Sequence, residues 1–168
     1  MIEKILAHFS VARSIAMLEI CHKKIVNFRN LHSKQEPILI CNVWDASSAQ
    51  VAEKIGYTAI GTSSGAIASM LGYSDGEEIS YDELHYVVQR ITNSTSLPLS
   101  VDLEAGYSRK PSEVYKHIEK LVDLGVVGVN IEDSLVDGNR SMVDASHFAD
   151  LLSEVNNLIL KSLSLIHI

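Results

Sequence analysis

Four strand-like segments, each followed by a helix-like segment, constrain the fold of this chain more than any other feature. The strand-like segments cover residues 37–42, 58–63, 98–104 and 126–133. The helix-like segments cover about 45–55, about 81–91, 111–124, and a final stretch from about 144 onward. This alternation predicts parallel strands that are joined by right-handed crossovers.

Local signals mark the ends of the predicted helices. Asp45 is a predicted N-cap, and Gly56 lies where a glycine ends a helix. Ser80 and Glu83 have the spacing of a capping box. Pro111 suits the first turn of the next helix.

The third strand-like segment separates its residues by polarity, because alternate residues of a strand point to opposite sides. The apolar face carries Leu99, Val101 and Leu103. The other face is small or polar and carries Ser100, Asp102 and Glu104. Residues 126–133 show the same pattern. Central strands of an open parallel sheet are apolar on both faces, so this pattern favours a barrel whose interior takes the polar face. We therefore predict an α/β fold of the TIM (β/α)8 barrel family.

Chain length limits how much of a barrel is present. The chain has 168 residues, whereas a complete TIM barrel typically needs about 250. We expect only about the first four βα units, a half-barrel, whose exposed sheet edges favour poor solubility or self-association. Length alone also fits an open sheet with its first strand in the middle, as in a flavodoxin-like or receiver module. Half-exposed antiparallel strands would alternate similarly.

The two ends of the chain differ from its middle. Residues 1–24 are predicted to be an N-terminal extension or helix, and residues 25–160 a partial βα-barrel catalytic domain. Residues 161–168 are expected to be a non-native or truncated tail, because the stretch has no cap signal and only one charge.

Composition excludes several classes of function. The net charge is −7, and no basic stripe is present, so we expect no nucleic-acid partner. No apolar run reaches the roughly 18 residues of a membrane helix, so no membrane partner is expected. Cys21 and Cys41 show no spacing typical of a disulfide framework. These features predict a cytoplasmic protein.

Carboxylates follow the third and fourth strand-like segments. Asp102 and Glu104 lie on the predicted inner face of one strand, and Glu132 lies on the same face of the next. Three inward carboxylates would repel one another unless a cation neutralised them. Hard oxygen ligands suit Mg²⁺, with Mn²⁺ as the alternative. The three residues therefore form a predicted metal site.

Spacing alone leaves the function of residues 61–65 and of Asp75 open. Residues 61–65 offer hydroxyl and backbone donors that suit an anion, although a plain βα turn has the same composition. Asp75 lies in a loop that could reach the strand ends, although Asp75 and Gly76 are also typical turn residues.

Five motifs occur in order between about residues 28 and 152. They are Asn42-Val-Trp-Asp45-Ala-Ser-Ser-Ala, Gly61-Thr-Ser-Ser-Gly-Ala, Leu71-Gly-Tyr-Ser-Asp75-Gly-Glu, Val101-Asp-Leu-Glu-Ala-Gly-Tyr107 and Gly128-Val-Asn-Ile-Glu-Asp-Ser134. Together they closely resemble the isocitrate lyase/phosphoenolpyruvate mutase superfamily. The resemblance implies a Mg²⁺-dependent TIM-barrel enzyme that makes or breaks C–C or P–C bonds in small α-keto or α-hydroxy carboxylates through enolate-like species.

The resemblance also assigns roles to residues. It implies that Asp102 is the main metal-linked carboxylate, with Glu104 and Glu132 in the same site, partly through water. Ser63, Ser64 and Gly65 would hold the substrate carboxylate. Asp75 matches an active-site aspartate of the mutase branch.

The loop after the fourth strand departs from the lyase pattern. Lyase members carry a Cys-Gly-His motif there, whereas residues 134–142 contain neither cysteine nor histidine. We therefore expect a decarboxylase, hydrolase or lyase of an oxaloacetate-like compound, forming a homo-oligomer at full length. The alternative is an inactive half-barrel fragment or assembly module, because the family takes further active-site groups from later strands.

Overall fold

A computed structural model of the chain describes residues 22–33, 37–135 and 141–163. Most of the predicted N-terminal extension and the last five residues lie outside these ranges, so the predicted domain boundaries stay predictions. The described residues form a four-stranded parallel sheet with helices, and a separate two-stranded antiparallel pair. No helix in these ranges is long and apolar enough to cross a membrane.

The elements alternate as the sequence predicts. The strands are β1 (Cys41–Val43), β2 (Ile60–Thr62), β3 (Leu99–Asp102), β4 (Gly128–Asn130), β5 (Ser134–Leu135) and β6 (Ser141–Met142). The helices are α1 (residues 22–32), α2 (Ala46–Lys54), α3 (Ser64–Leu71), α4 (Tyr81–Thr92), α5 (Pro111–Asp123) and α6 (Ala145–Leu163).

The order of the strands follows the chain. Strands β1, β2, β3 and β4 lie side by side in that order, and each neighbouring pair is parallel. The open sheet with its first strand in the middle is therefore wrong for the described sheet, because β1 lies at an edge. Antiparallel pairing is wrong as well, because no neighbouring pair within this sheet is antiparallel. Sequential parallel strands are the arrangement of a βα barrel.

The register places small and polar residues in one row across the sheet. Asn42 pairs with Gly61, Gly61 with Ser100, and Ser100 with Gly128. A side chain at Gly128 would lie 3.0 Å from Cε1 of Phe28, so α1 places an aromatic ring against this row. The row is the polar face predicted from the alternation in the sequence.

The opposite face of the sheet carries the core. Leu99, Val101 and Leu103 are almost fully buried, as are Leu84 and Ile91 of α4. Burying such a side chain contributes about 1.5–3 kcal/mol, so this helix-covered face stabilises the fold.

Helix α5 buries one apolar face. Val114, Ile118 and Leu121 are buried, whereas Val122 is 47% exposed. Val122 follows Leu121 directly and is therefore turned about 100° away from the buried stripe of the helix.

Helix α2 begins as predicted. The Asp45 carboxylate accepts a hydrogen bond from the backbone N–H of Ser48 at 2.7 Å, and the Ser48 hydroxyl accepts one from the backbone N–H of Asp45. Gly56 follows the helix with a φ of +95°, which a glycine adopts without strain.

Helix α3 was not predicted. Its residues are mostly small, with Gly65 in the first turn, and Ile67, Met70 and Leu71 are too few large apolar residues to indicate a helix by periodicity. Ser63 caps it by accepting a hydrogen bond from the backbone N–H of Ala66 at 3.3 Å. Because α3 begins two residues after β2, its N-terminus lies at the carboxyl ends of the strands.

Candidate active site

Asp102 ends strand β3 and forms the centre of the site. Its backbone N–H donates to the Thr62 hydroxyl at 2.7 Å, which links it to β2. One carboxylate oxygen, Oδ2, accepts hydrogen bonds from the Ser64 hydroxyl at 2.8 Å and the Ser64 backbone N–H at 3.3 Å. The other oxygen, Oδ1, accepts the backbone N–H of Glu104 at 3.3 Å. These contacts orient a half-buried carboxylate at the mouth of the sheet.

The N-terminus of α3 provides the main donors to Asp102. A helix N-terminus carries partial positive charge and free N–H groups, so it favours a nearby carboxylate. The hydroxyls of Ser63 and Ser64 both have protein partners: one accepts a hydrogen bond from a helix N–H, and the other donates to Asp102. Their predicted contact with a substrate carboxylate stays a prediction.

Asp75 comes to the same place from the loop before α4. A Cβ atom at Gly65 would lie 3.4 Å from Oδ1 and 3.6 Å from Oδ2 of Asp75. The absence of a side chain at Gly65 therefore leaves room for the Asp75 carboxylate beside the start of α3. Asp75 is exposed, so it faces the solvent at the strand ends.

Glu104 is a buried carboxylate, with 2% of its surface exposed. Its Oε2 accepts the backbone N–H of Glu77 at 2.6 Å, and its Oε1 accepts the Tyr107 hydroxyl at 2.7 Å. Burial raises the pKa of Glu104; the two hydrogen bonds act in the opposite direction, while the charges of Asp75 and Glu77 add to the rise. Glu104 is therefore tied to the surrounding loops.

Glu132 follows β4, as predicted. Its backbone N–H donates to the Glu104 carbonyl at 2.6 Å, and its Oε2 accepts the Ser134 hydroxyl at 3.2 Å. These contacts join the loops that follow β3 and β4, and they leave the Glu132 side chain half-buried.

The predicted metal set is only partly brought together. Searched over residues 22–33, 37–135 and 141–163, the structure has no group of three or more His, Cys, Asp or Glu side chains that could hold a metal ion. Both oxygens of Glu104 accept hydrogen bonds, so this side chain faces the loops. Asp102 keeps acceptor capacity, since two carboxylate oxygens offer about four lone pairs. The residues therefore fit Mg²⁺ bound through Asp102 and several waters, which is common for this ion.

Four residues at the site have no role in the sequence-based predictions. They are Glu77 and Tyr107, which hydrogen-bond to Glu104, Arg109, which pairs with Glu77, and His117. Glu77 and Tyr107 end two of the quoted motifs, but no spacing pattern assigns them a role. His117 is half-buried: its ring stacks on Tyr81 with the ring centroids 3.9 Å apart, and its Nδ1 lies 3.0 Å from the Gly106 carbonyl oxygen.

Comparison with known proteins identifies the family of this chain. The family model of phosphoenolpyruvate phosphomutase matches residues 28–163. The chain is 32% identical over 109 residues to 2-methylisocitrate lyase from Escherichia coli K12, which covers 64% of this chain and 37% of that protein. It is 33% identical over 110 residues to oxaloacetate decarboxylase from Paraburkholderia xenovorans LB400. This match covers 64% of this chain and 36% of the decarboxylase.

Solved structures show the same fold. A proposed phosphonomutase from Burkholderia cenocepacia J2315 superposes with a TM-score of 0.77 at 33% identity, covering 83% of this chain and 56% of that one. The chain thus spans little more than a third of the two curated relatives and about half of this structure. The match over residues 28–163 confirms the family resemblance that the ordered motifs indicate: the chain belongs to the phosphoenolpyruvate phosphomutase family.

Proposed function

We propose that this chain carries part of the active site of a Mg²⁺-dependent enzyme that makes or breaks a C–C or P–C bond. The substrate class is a small α-keto or α-hydroxy carboxylate, similar to oxaloacetate or phosphoenolpyruvate, and the reaction passes through an enolate-like species. The observation that carries the proposal is the meeting of Asp102, Asp75 and the N-terminus of α3 at the carboxyl ends of parallel strands, in a member of this family. Barrel enzymes place their chemistry at this end.

The fold supports a half-barrel. Four sequential parallel strands with one polar face correspond to the first half of an eight-stranded barrel. We therefore propose that the row Asn42, Gly61, Ser100 and Gly128 lines the interior of a barrel, with the site at its mouth.

The metal proposal rests on the chemistry of the oxygen donors. Asp102 would hold Mg²⁺ directly, and Glu104 and Glu132 would contribute through water. The bound ion would stabilise negative charge as it develops on the substrate oxygen. Ser64 holds the Asp102 carboxylate in place, so the ligand is oriented before any ion binds.

The remaining roles belong to protein groups. Ser63, Ser64 and Gly65 would hold the substrate carboxylate at the start of α3, where the helix favours negative charge. The backbone N–H groups of Ser63 and Ser64 donate to the Val43 carbonyl and to Asp102, so the backbone donor to the substrate carboxylate would be Gly65. Asp75 would lie beside that carboxylate and take up or return a proton at its exposed oxygens. The donors at the N-terminus of α3 are fixed in place, so they would stabilise charge without having to reorganise during the reaction.

Two names among the relatives suggest the first substrate to test. One is an oxaloacetate decarboxylase and the other a 2-methylisocitrate lyase. The lyase cysteine motif is absent from residues 134–142. Oxaloacetate is therefore the better candidate.

The test is oxaloacetate turnover in a coupled assay, with Mg²⁺ and with excess chelator. It uses this chain and a form extended to the length of the curated relatives. We expect Mg²⁺-dependent turnover in the extended form, and at least a 100-fold loss in Asp102→Asn, because that change removes the charge that would hold the ion. Asp123→Asn, an exposed acid at the end of α5, is the matched control and should retain turnover.

The same assay decides between the two hypotheses. Absence of turnover in both forms would exclude the proposed oxaloacetate chemistry. Turnover in the extended form alone would support the inactive-fragment alternative for this chain. Full activity in the short form would exclude that alternative.

A further inference from the structure

Three residues near the site have an unusual backbone conformation. In the described ranges, the non-glycine residues with positive φ are Glu77 at +59°, Glu104 at +49° and Tyr107 at +56°. Such conformations cost on the order of 1–3 kcal/mol each and persist only where the surrounding contacts enforce them. All three belong to one hydrogen-bonded cluster, so their strain has a common cause.

The cluster consists of Glu77, Glu104, Tyr107 and Arg109, and we call it the Glu77 clamp. The Glu77 carboxylate accepts the Tyr107 backbone N–H at 2.7 Å and pairs with the Arg109 guanidinium at 2.9 Å. The Glu77 backbone N–H donates to Glu104, which also accepts the Tyr107 hydroxyl. Each strained residue is thus held by at least two hydrogen bonds to other members.

The Glu77 clamp joins the two loops that carry the candidate catalytic carboxylates. Glu77 lies two residues after Asp75, and Glu104 lies two residues after Asp102. A displacement of either loop would therefore change the separation of Asp75 and Asp102.

The loop that follows β3, which contains Glu104 and Tyr107, packs against α5. Gly106, with a φ of +95°, lies between Glu104 and Tyr107, and a Cβ atom there would meet Cγ2 of Val114 at 2.9 Å. The loop that carries Asp75 is therefore attached, through the clamp, to a loop packed against the core.

We propose that Glu77 and Tyr107 are positioning residues, which set the distance and orientation of Asp75 relative to Asp102 through the Glu77 clamp. This inference rests on the proposed function of the site. Neither residue needs to touch the substrate. A misplacement of about 1 Å in a catalytic group can reduce the rate about 100-fold, so a strained but rigid connection is useful here.

The kinetic test compares three changes in the extended, active form. Glu77→Ala removes the two carboxylate oxygens that accept from Tyr107 and Arg109. We expect kcat to fall about 10- to 100-fold with KM changed less than about threefold, because the donors of α3 are untouched. Glu77→Gln keeps an oxygen for the Tyr107 N–H and should recover part of kcat. Tyr107→Phe keeps the ring and loses only the hydroxyl donor to Glu104. It tests the same positioning role by the same fall in kcat if Glu77→Ala folds poorly.

The matched control is Glu113→Ala. Glu113 forms an ion pair with Lys116 at the same 2.9 Å distance, on the exposed surface of α5. Its removal should leave kcat unchanged. An equal loss in Glu113→Ala, or wild-type kcat in both Glu77→Ala and Tyr107→Phe, would overturn the proposal.

Amide hydrogen exchange supplies a readout that needs no substrate. In Glu77→Ala, exchange should accelerate in residues 74–79 and 104–109 while α4 keeps its protection, because only the clamp opens. Unchanged exchange in both loops would contradict the proposal that the Glu77 clamp holds them together. If the wild-type extended form turns over no oxaloacetate, the proposed oxaloacetate chemistry fails, and hydrogen exchange alone then decides whether the clamp exists.

Discussion

At the scale of single residues, the site depends on how Asp102 is held. Three donors reach its carboxylate, and two of them come from Ser64. Hydrogen bonds to an ionised acceptor are roughly twice as strong as neutral ones. The serine predicted to contact substrate is therefore, in the structure, a residue that orients the candidate metal ligand.

Ser64→Ala tests this arrangement. The change removes the hydroxyl donor at 2.8 Å and leaves the backbone N–H at 3.3 Å, so the carboxylate loses its shorter contact. We expect Mn²⁺ to bind about 10-fold more weakly, as is typical when a group that orients a metal ligand is removed. Titration with Mn²⁺ followed by electron paramagnetic resonance would measure it.

The control for this experiment lies on the same helix. Ser69→Ala removes an exposed hydroxyl of α3 and should leave Mn²⁺ affinity unchanged. Equal affinities in wild type and Ser64→Ala would show that Ser64 does not orient the ligand.

At the scale of elements, helix termini determine where the loops of the site begin. The N-terminus of α3 reaches Asp102, and the capping box at the start of α4 ends the loop that carries Asp75. In this box the Ser80 backbone N–H and hydroxyl donate to Oε2 of Glu83 at 2.8 and 2.7 Å. These bonds lower the pKa of Glu83, with the backbone N–H as the larger cause and the hydroxyl second.

The capping box predicts a pH-dependent effect of Ser80→Ala. Because the pKa of Glu83 is lowered on folding, its contribution to stability is present above about pH 4.5 and is lost as the pH falls through the folded value. At pH 7 we expect Ser80→Ala to lower the free energy of unfolding by about 1 kcal/mol. The cost should be smaller near pH 3, where protonated Glu83 accepts more weakly. Urea unfolding at the two pH values measures both.

Ser112→Ala is the control for the capping box. Ser112 is exposed in the first turn of α5, whose N-cap Lys110 makes no side-chain cap. We expect this variant to change the free energy of unfolding by less than about 0.5 kcal/mol at either pH. A cost of Ser80→Ala that is the same at pH 7 and pH 3 would contradict the role given to Glu83.

At the scale of the whole molecule, the described sheet has two edges and one polar face. Strand β1 pairs only with β2 and strand β4 only with β3 in the described part of the chain. Unpaired strand edges are templates for pairing with another chain. The Phe28 ring of α1 lies against Gly128 and covers part of the polar face.

We therefore expect this chain to self-associate, and Phe28→Ala to increase the self-association by uncovering the row that contains Ser100 and Gly128. Sedimentation velocity over a concentration series would measure it. Val26→Ala, an exposed position on the same helix, is the control and should behave as wild type. A monodisperse monomer that unfolds cooperatively would contradict the expectation.

The sequence by itself determined the alternation of elements, the capped helix starts, the polar face of the sheet and the family. These follow from local chemistry: the two-residue period of Leu99 to Glu104, the capping box of Ser80 and Glu83, and ordered motifs. Whether the metal set and the loop contacts form depends on which distant side chains meet, which no local pattern encodes.

Only the tertiary structure decided what each carboxylate does. Asp102 and Glu104 have the same sequence signature, two residues apart on one strand face. Folding places Ser64 beside Asp102 and leaves it half-buried, whereas it buries Glu104 under Tyr107 and the backbone of Glu77. Their environments differ because Glu77, 27 residues away in the chain, closes over Glu104 together with Tyr107. Ser64, 38 residues away from Asp102, instead holds that carboxylate at the mouth of the sheet.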